Sequence, residues 1–324
     1  MFKHFSFLLI LILCLSSLSL TLADSIPLIE TPVPAPVHDM PESTPEPPSL
    51  IDLTRNRNAM EGFRFPVDAE FLHIWFPIIA NADEAVITYG DEVWLIDCAD
   101  NREMGRRGVH LLEELGVSRI DRLFNTHPHH DHLGGLQLTN EAAPVQELLI
   151  CFPEDVNEHM VGALEYAREQ SIPVAAYGSG DVFTMGGGKV SLKFFLPQDD
   201  TLDMNNSSAV TLLQYGSCRI LFMADVDFQG QKVLLDQVDH EDLRAEIVKY
   251  PHHGKKGLLE EFYEVLQPSL AVVTNIWVDW GGIEFMQWKR VPYLFTCADD
   301  TYVHLYTDGR TWVVERVHMD TIGK

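Results

Sequence analysis

The chain has 324 residues, a formal net charge of −25 and a 46% share of hydrophobic residues. That apolar share supplies a full core and excludes a disordered chain, while the length allows one large domain or two small ones. Such acidity excludes a generally basic surface for a nucleic-acid backbone, so a polyanionic substrate needs a local positive group such as a metal.

Taken in order, the chain opens with Lys3, an apolar stretch from residue 5 and a small-residue exit at Thr21-Leu22-Ala23. This pattern predicts a secretory signal peptide over residues 1–23 and hence a secreted or extracytoplasmic protein. Residues 5–22 approach spanning length, which makes an uncleaved membrane tether the alternative. Prolines then recur at positions 27, 32, 34, 36, 41, 45, 47 and 48 among Glu, Ser and Thr. Residues 24–59 accordingly read as an extended linker without a core. The folded domain is expected over residues 60–318, with a tail at 319–324.

Within that domain, residues 70–76 alternate like a strand, and 85–89 and 93–96 read as a hairpin closed at Gly90-Asp91. Asp97 ends the second of these strands; by itself it reads equally well as the start of a turn. Residues 109–115 have helical spacing, and 120–124 form an apolar run. There follows Asn125-Thr126-His127-Pro128-His129-His130-Asp131-His132-Leu133-Gly134-Gly135, with four histidines and an aspartate in six consecutive positions. In a strand His127, His129 and Asp131 share a face that His132 does not, and in a helix residues two apart diverge, so only a tight loop lets them converge. Imidazole with carboxylate suits zinc or a similar divalent ion, manganese being the other candidate. The spacing is not that of a His-Glu-x-x-His helix.

Beyond this loop the pattern predicts strands at 147–152 and 172–177 around a helix at 155–170, then strands at 182–185 and 190–196 joined by three glycines. Cys98, Cys151, Cys218 and Cys297 each lie in or beside an apolar strand and read as buried free thiols. Two later blocks each end a strand with a metal-capable side chain. The first runs from Asn205-Asn206-Ser207-Ser208 through 219–223 to Ala224-Asp225; the second is Ile247-Val248-Lys249-Tyr250-Pro251-His252-His253-Gly254-Lys255. A helix at 229–238, a strand at 271–276 near Trp277 and Trp280, and a hairpin of 302–306 with 311–317 through Asp308-Gly309 complete the reading.

The His-x-His-x-Asp-His loop resembles the signature of the metallo-β-lactamase superfamily, whose fold is an αββα four-layer sandwich. Together with Asn-Asn-x-Ser, the strand ending in Asp225 and the Pro-His-His-Gly turn, it is similar to the metallo-β-lactamase-like domain of ComEC-type competence proteins and their free-standing relatives, over residues 69–318. The resemblance implies that His127 and His129 hold one metal, that Asp131, His132 and one of His252 and His253 hold a second, and that Asp225 bridges them. It also implies that Asp97 orders the loop. The usual third histidine of the first metal is replaced by residues 205–208, so Asn206, Ser208 or water is expected to complete that site, and one or two ions fit. Other departures are residues 77–83 in place of a Gly-Gln-Gly-Asp-like turn, Ala224 before Asp225, and Lys255 after Gly254. His130 falls outside the ligand pattern and reads as exposed.

The implied activity is metal-assisted hydrolysis, with Asp131 moving a proton as well as binding metal. The resemblance favours a phosphodiesterase or nuclease. The acidic charge disfavours long nucleic acid and keeps a small ester, lactone or amide as the alternative substrate. Opposed to every enzyme reading is a degenerate, metal-free surface binding module.

Overall fold

The computed structural model describes residues 50–318 apart from 57, 59, 60 and 277–279. The predicted signal peptide, all but the end of the linker, the tail and Trp277 therefore lie outside the described residues. In chain order the strands and helices are β1 (Leu50–Asp52), β2 (Leu72–Phe76), β3 (Ala85–Tyr89), β4 (Glu92–Ile96), α1 (Glu103–Glu114), β5 (Arg122–Phe124), α2 (His130–Leu133) and α3 (Leu136–Ala142). Next come β6 (Leu148–Ile150), α4 (Glu158–Glu169), β7 (Val174–Ala176), β8 (Val182–Met185), β9 (Val190–Phe195), β10 (Val210–Tyr215), β11 (Cys218–Phe222) and α5 (Phe228–Gln237). The chain then continues through β12 (Ile247–Lys249), α6 (Glu260–Leu266), β13 (Leu270–Val273), α7 (Trp280–Lys289), β14 (Tyr293–Phe295), β15 (Thr301–Thr307) and β16 (Trp312–His318).

The strands assemble into two sheets, one in the order β1-β16-β15-β2-β3-β4-β5-β6-β7 and the other β14-β13-β12-β11-β10-β9-β8. Alternation along each strand sends one set of side chains between the sheets and the other outward. Leu72, Ile74 and Phe76 of β2 meet Leu213, Ile220 and Phe222 of the facing sheet. Outside the larger sheet, Leu95, Leu123 and Leu148 pack on Leu111 and Leu112 of α1 and Met160 and Leu164 of α4. Outside the smaller one, Leu221, Val248 and Val273 pack on Leu234 of α5, Phe262 and Leu266 of α6 and Met286 of α7. Three apolar layers between four layers of structure make this the expected αββα sandwich.

Where connections are helical, strands run parallel: β4 with β5, β5 with β6, β11 with β12, and β12 with β13. Both sheets therefore end strands on the same kind of edge, and the loops there carry Asp97, the histidine loop, Asp225 and the His252-His253 turn. Two differences from the sequence reading are structural. Leu50–Asp52, placed in the linker above, is a strand paired in parallel with Trp312–Val314, so the sheet begins before residue 60. The histidine segment is loop only to His129; His130–Leu133 closes into one helical turn. The four cysteines among the described residues are free thiols, as expected; Cys98 and Cys218 are buried, and Cys151 and Cys297 only partly so.

Candidate metal centre

Asp97 sits in the left-handed region, at φ 57, where β4 stops pairing. Its buried carboxylate is the frame on which the histidine loop is hung. Oδ1 accepts from the Thr126 amide at 2.8 Å and the Asn125 amide nitrogen at 3.1 Å, while Oδ2 accepts from Thr126 Oγ1 at 2.7 Å and meets His132 Nδ1 at 2.7 Å. The loop is pinned from below as well: a Cβ on Gly135 would stand 1.8 Å from the Cys98 carbonyl oxygen, so no larger residue fits under α2 and α3.

With Nδ1 so occupied, His132 presents Nε2 to the interior, 3.3 Å from Asp225 Oδ1. His253 does the same from the opposite side. Its Nδ1 lies 3.0 Å from Asp83 Oδ1, and its Nε2 lies 3.5 Å from Asp225 Oδ1 and 3.4 Å from Asp131 Oδ2. His132 Nε2, His253 Nε2 and Asp225 Oδ1 are all buried without a protein hydrogen-bond partner. Three unpaired buried donors and acceptors facing one point are costly unless something is bound there. Neighbouring ligands on a tetrahedral ion with bonds of about 2.0–2.1 Å stand about 3.3 Å apart, which matches these spacings. The residues present fit a divalent cation.

A second pocket opens on the other oxygen of Asp225. His127 Nε2 is 3.8 Å from Asp225 Oδ2 and 3.0 Å from His129 Nδ1. His127, His129 and Asp225 form one group able to hold an ion; His132, His253 and Asp225 form another, together with Asp83. Asp83 is better read as a support than as a ligand. It contacts the Nδ1 sides of both rings, and the buried Lys249 ammonium is in contact with its carboxylate. A cation already neutralises it there. Asp131, through its contact with His253 Nε2, is the carboxylate on the open side.

The electrostatics follow from this arrangement. Burial pushes the Asp225 and Asp131 carboxyls up, but the neighbouring rings of His253 and His132 outweigh it and hold both below the usual range. Burial disfavours charge on His253, yet Asp225, Asp83 and Asp131 raise its pKa to about 10. His132 is likewise raised, by Asp225 and Asp97 against burial. His127 and His129 are lowered by burial and by His132, which biases both rings to the neutral form a ligand needs, whereas His132 and His253 would release a proton when an ion binds.

The structure brings together His127, His129, Asp131, His132, Asp225, His252 and His253. Two candidates stand elsewhere. Asn206 is spent on backbone: its Nδ2 donates to Asp203 Oδ1 at 2.9 Å, and its Oδ1 accepts from the Asp227 and Gly230 amides at 3.1 and 2.9 Å. With both ends of the amide used, it serves the start of α5 and not an ion. Ser208 donates to the Asn205 carbonyl at 2.7 Å and accepts from the Asp225 amide at 3.3 Å, positioning Asp225 from behind. His130 lies at the surface, 2.9 Å from Asn101 Oδ1. Sequence reasoning missed Asp83, although it closes the segment set against the Gly-Gln-Gly-Asp-like turn and so stood at the aspartate's place.

The family model described as Metallo-beta-lactamase superfamily matches residues 85–261, more than half of the chain. The chain belongs to the metallo-beta-lactamase superfamily. Among relatives, this superfamily member is 27% identical over 172 residues to ComE operon protein 3 of Bacillus subtilis (strain 168), covering 51% of the chain and 21% of that protein. It is 32% identical over 91 residues to a ribonuclease Z of Nostoc sp. (strain PCC 7120 / SAG 25.82 / UTEX 2576), covering 26% of the chain and 27% of the enzyme. The match thus spans about a fifth to a quarter of the curated relatives' length. Among solved structures, the metallo-beta-lactamase fold protein YhfI from Bacillus subtilis aligns with a TM-score of 0.46 at 11% identity, over 70% of this chain and 96% of that one.

Proposed function

We propose that the protein is a metal-dependent hydrolase that cleaves a phosphodiester at a two-ion centre, with zinc as the ion and manganese as the alternative. The observation that carries this is the division of Asp225: Oδ1 faces His132 and His253, and Oδ2 faces His127. One carboxylate between two histidine sets is the arrangement a bridging ligand needs. When bound, divalent ions lower the pKa of water towards neutrality and neutralise charge developing on phosphoryl oxygens. His127 and His129 with Asp225 Oδ2 would hold one ion, and Asp131, His132 and His253 with Asp225 Oδ1 the other. Asp131 is partly exposed on the open side, with Oδ2 3.4 Å from His253 Nε2, and from there its carboxylate would accept a proton from the attacking water.

Two observations support a phosphodiester. The ribonuclease Z relatives are ribonucleases by name. Lys255, close enough to His252 for its charge to bear on that ring, puts a cation beside the pocket in a chain of net charge −25. That overall charge repels a long polyanion away from the centre, which favours a small phosphodiester or a short single strand. It equally suits the second reading, a small ester or lactone. Export through residues 1–23, with residues 24–49 as tether, belongs to the same proposal; among the described residues no helix is long and apolar enough to cross a membrane.

Metal analysis of the purified protein, with bis-p-nitrophenyl phosphate, single-stranded DNA and nitrocefin assayed side by side, tests the reading. We expect up to two equivalents of metal and turnover of the phosphodiesters, both lost in Asp225→Ala. Nitrocefin or ester turnover alone would shift the assignment to the second reading. Protein that takes up no zinc, manganese or iron would leave the metal-free binding module.

A further inference from the structure

The turn over Pro251–Gly254 places two consecutive histidines on opposite sides of one carboxylate. His253 Nε2 faces Asp225 Oδ1, as described, but His252 Nε2 lies 3.5 Å from Oδ2, the oxygen that also faces His127 Nε2. The rings stand 5.8 Å apart at 74° to one another. Both residues are left-handed, at φ 47 and φ 52, which non-glycine residues adopt only at a cost of about 1–2 kcal/mol each. In a strand, neighbouring side chains simply alternate; this double left-handed turn instead splays both inward around Asp225. The His252 amide donates to the Ala224 carbonyl at 2.9 Å, so the backbones that carry His252 and Asp225 are tied one residue from the carboxylate.

We infer that His252 is the missing third protein donor of the first pocket, so that the turn supplies one imidazole to each ion. The first pocket then comprises His127 Nε2, His129 Nδ1, Asp225 Oδ2 and His252 Nε2, and the absent histidine of residues 205–208 has been replaced from another loop. Asn206 is turned away from this pocket and does not compete for the role. The inference rests on the two-ion reading above and specifies which side chains complete it.

It also ranks the pockets. His132 and His253 have their Nδ1 atoms held by Asp97 and Asp83, which fixes ring orientation and tautomer. His252 Nδ1 is buried with no protein partner, and the ring as a whole is 18% exposed. A ligand without that second support binds more weakly, so the first pocket is the weaker and more readily exchanged of the two.

Titration of the metal-free full chain with Mn2+, followed by calorimetry and by electron paramagnetic resonance, reads this directly and without any substrate. The wild type should bind two ions in two affinity classes. His252→Ala and His129→Ala should each weaken the lower-affinity class by more than the about 10–100-fold that loss of an outer support costs and leave the tighter one in place, while His253→Ala should lose the tighter one. The double variant H129A/H252A should lose the lower-affinity class altogether and still leave the tighter one in place. His252→Gln, with a thermal melt recorded in chelator, guards against a folding defect being read as lost binding. Should the wild type bind two ions and His252→Ala keep both affinities, the two-ion reading stands and this allocation falls. Loss of the tighter class in His252→Ala with an unchanged melt would also overturn it. A wild type that binds no ion removes the two-ion reading itself.

Discussion

Asp97 shows how one buried carboxylate can set the chemistry of a ring it does not share with the metal. Four groups of the loop converge on it, among them the His132 Nδ1 whose occupation turns Nε2 towards Asp225. Asp97→Asn keeps the volume but replaces one acceptor by a donor. Metal affinity measured against a chelating dye should therefore fall about 10–100-fold, with the circular dichroism unchanged; an unaltered affinity would reduce Asp97 to a backbone anchor. The sequence made this residue visible only as a strand-end Asp, because a turn and a buried support look alike in one dimension. The same limit applies to Asp83 and to the pair His252 and His253. The histidine loop announced itself by density, whereas which oxygen of Asp225 each imidazole faces depends on two left-handed residues that no pattern marks. Asn206 was legible only as an amide near the site, because the hydrogen bonds that tie it to Asp203, Asp227 and Gly230 are not visible in one dimension.

At the scale of elements, the segment before β10 does for the smaller sheet what Asp97 does for the larger. Asn206 Oδ1 caps the Asp227 and Gly230 amides, and Asp227 itself accepts from the Phe228 amide at 2.6 Å. Removing that cap with Asn206→Ala should lower unfolding free energy by about 1–2 kcal/mol in urea while metal content stays at the wild-type level. Depleted metal with unchanged stability would restore the residue to the ligand list. Elements with strong period, such as β2, α4 and the β15–β16 hairpin, lie where the alternation and the 3.6-residue spacing put them. Elements that the sequence did not mark include α3, α6, α7, β14 and β1. Helix α6 has seven residues, about two turns, too few to show a stripe, and α7 contains two glycines in its first turn, which argues against a helix on propensity. Strands β1 and β14 have three residues each, shorter than the run of about four at which alternation begins to identify a strand.

For the whole molecule, stability on the acid side is tied to a histidine far from the metal. His73 Nδ1 meets His304 Nε2 at 3.0 Å, His304 Nδ1 meets Glu315 at 2.8 Å, and the three strands β2, β15 and β16 are joined through these rings. Burial, then the neighbouring His304, lowers the His73 pKa to about 4 against the partial opposition of Glu315. A depressed histidine is neutral in the fold while the unfolded chain binds the proton, so its stabilisation is complete above about pH 6.5 and is lost as pH falls from there to about 4. His127, His129, His252 and His304 are lowered as well and add to the slope, so in urea unfolding of the chelated protein His73→Asn should reduce the fall in stability across that window by up to about 3 kcal/mol without abolishing it. A slope undiminished in the variant would place the acid sensitivity in the other groups alone.

The edge of the larger sheet has a mechanical meaning. Leu50–Asp52 is its outermost strand, held to β16 by a three-residue register, and β16, β15, β2 and β3 separate it from β4 and β5 beneath the histidine loop. Among the described residues, a pull arriving along the chain from its amino-terminal side reaches β1 before any other strand. Three residues would peel away first, like a fuse, and the tension would be spent before it reached the strands that fix the ion-binding loops.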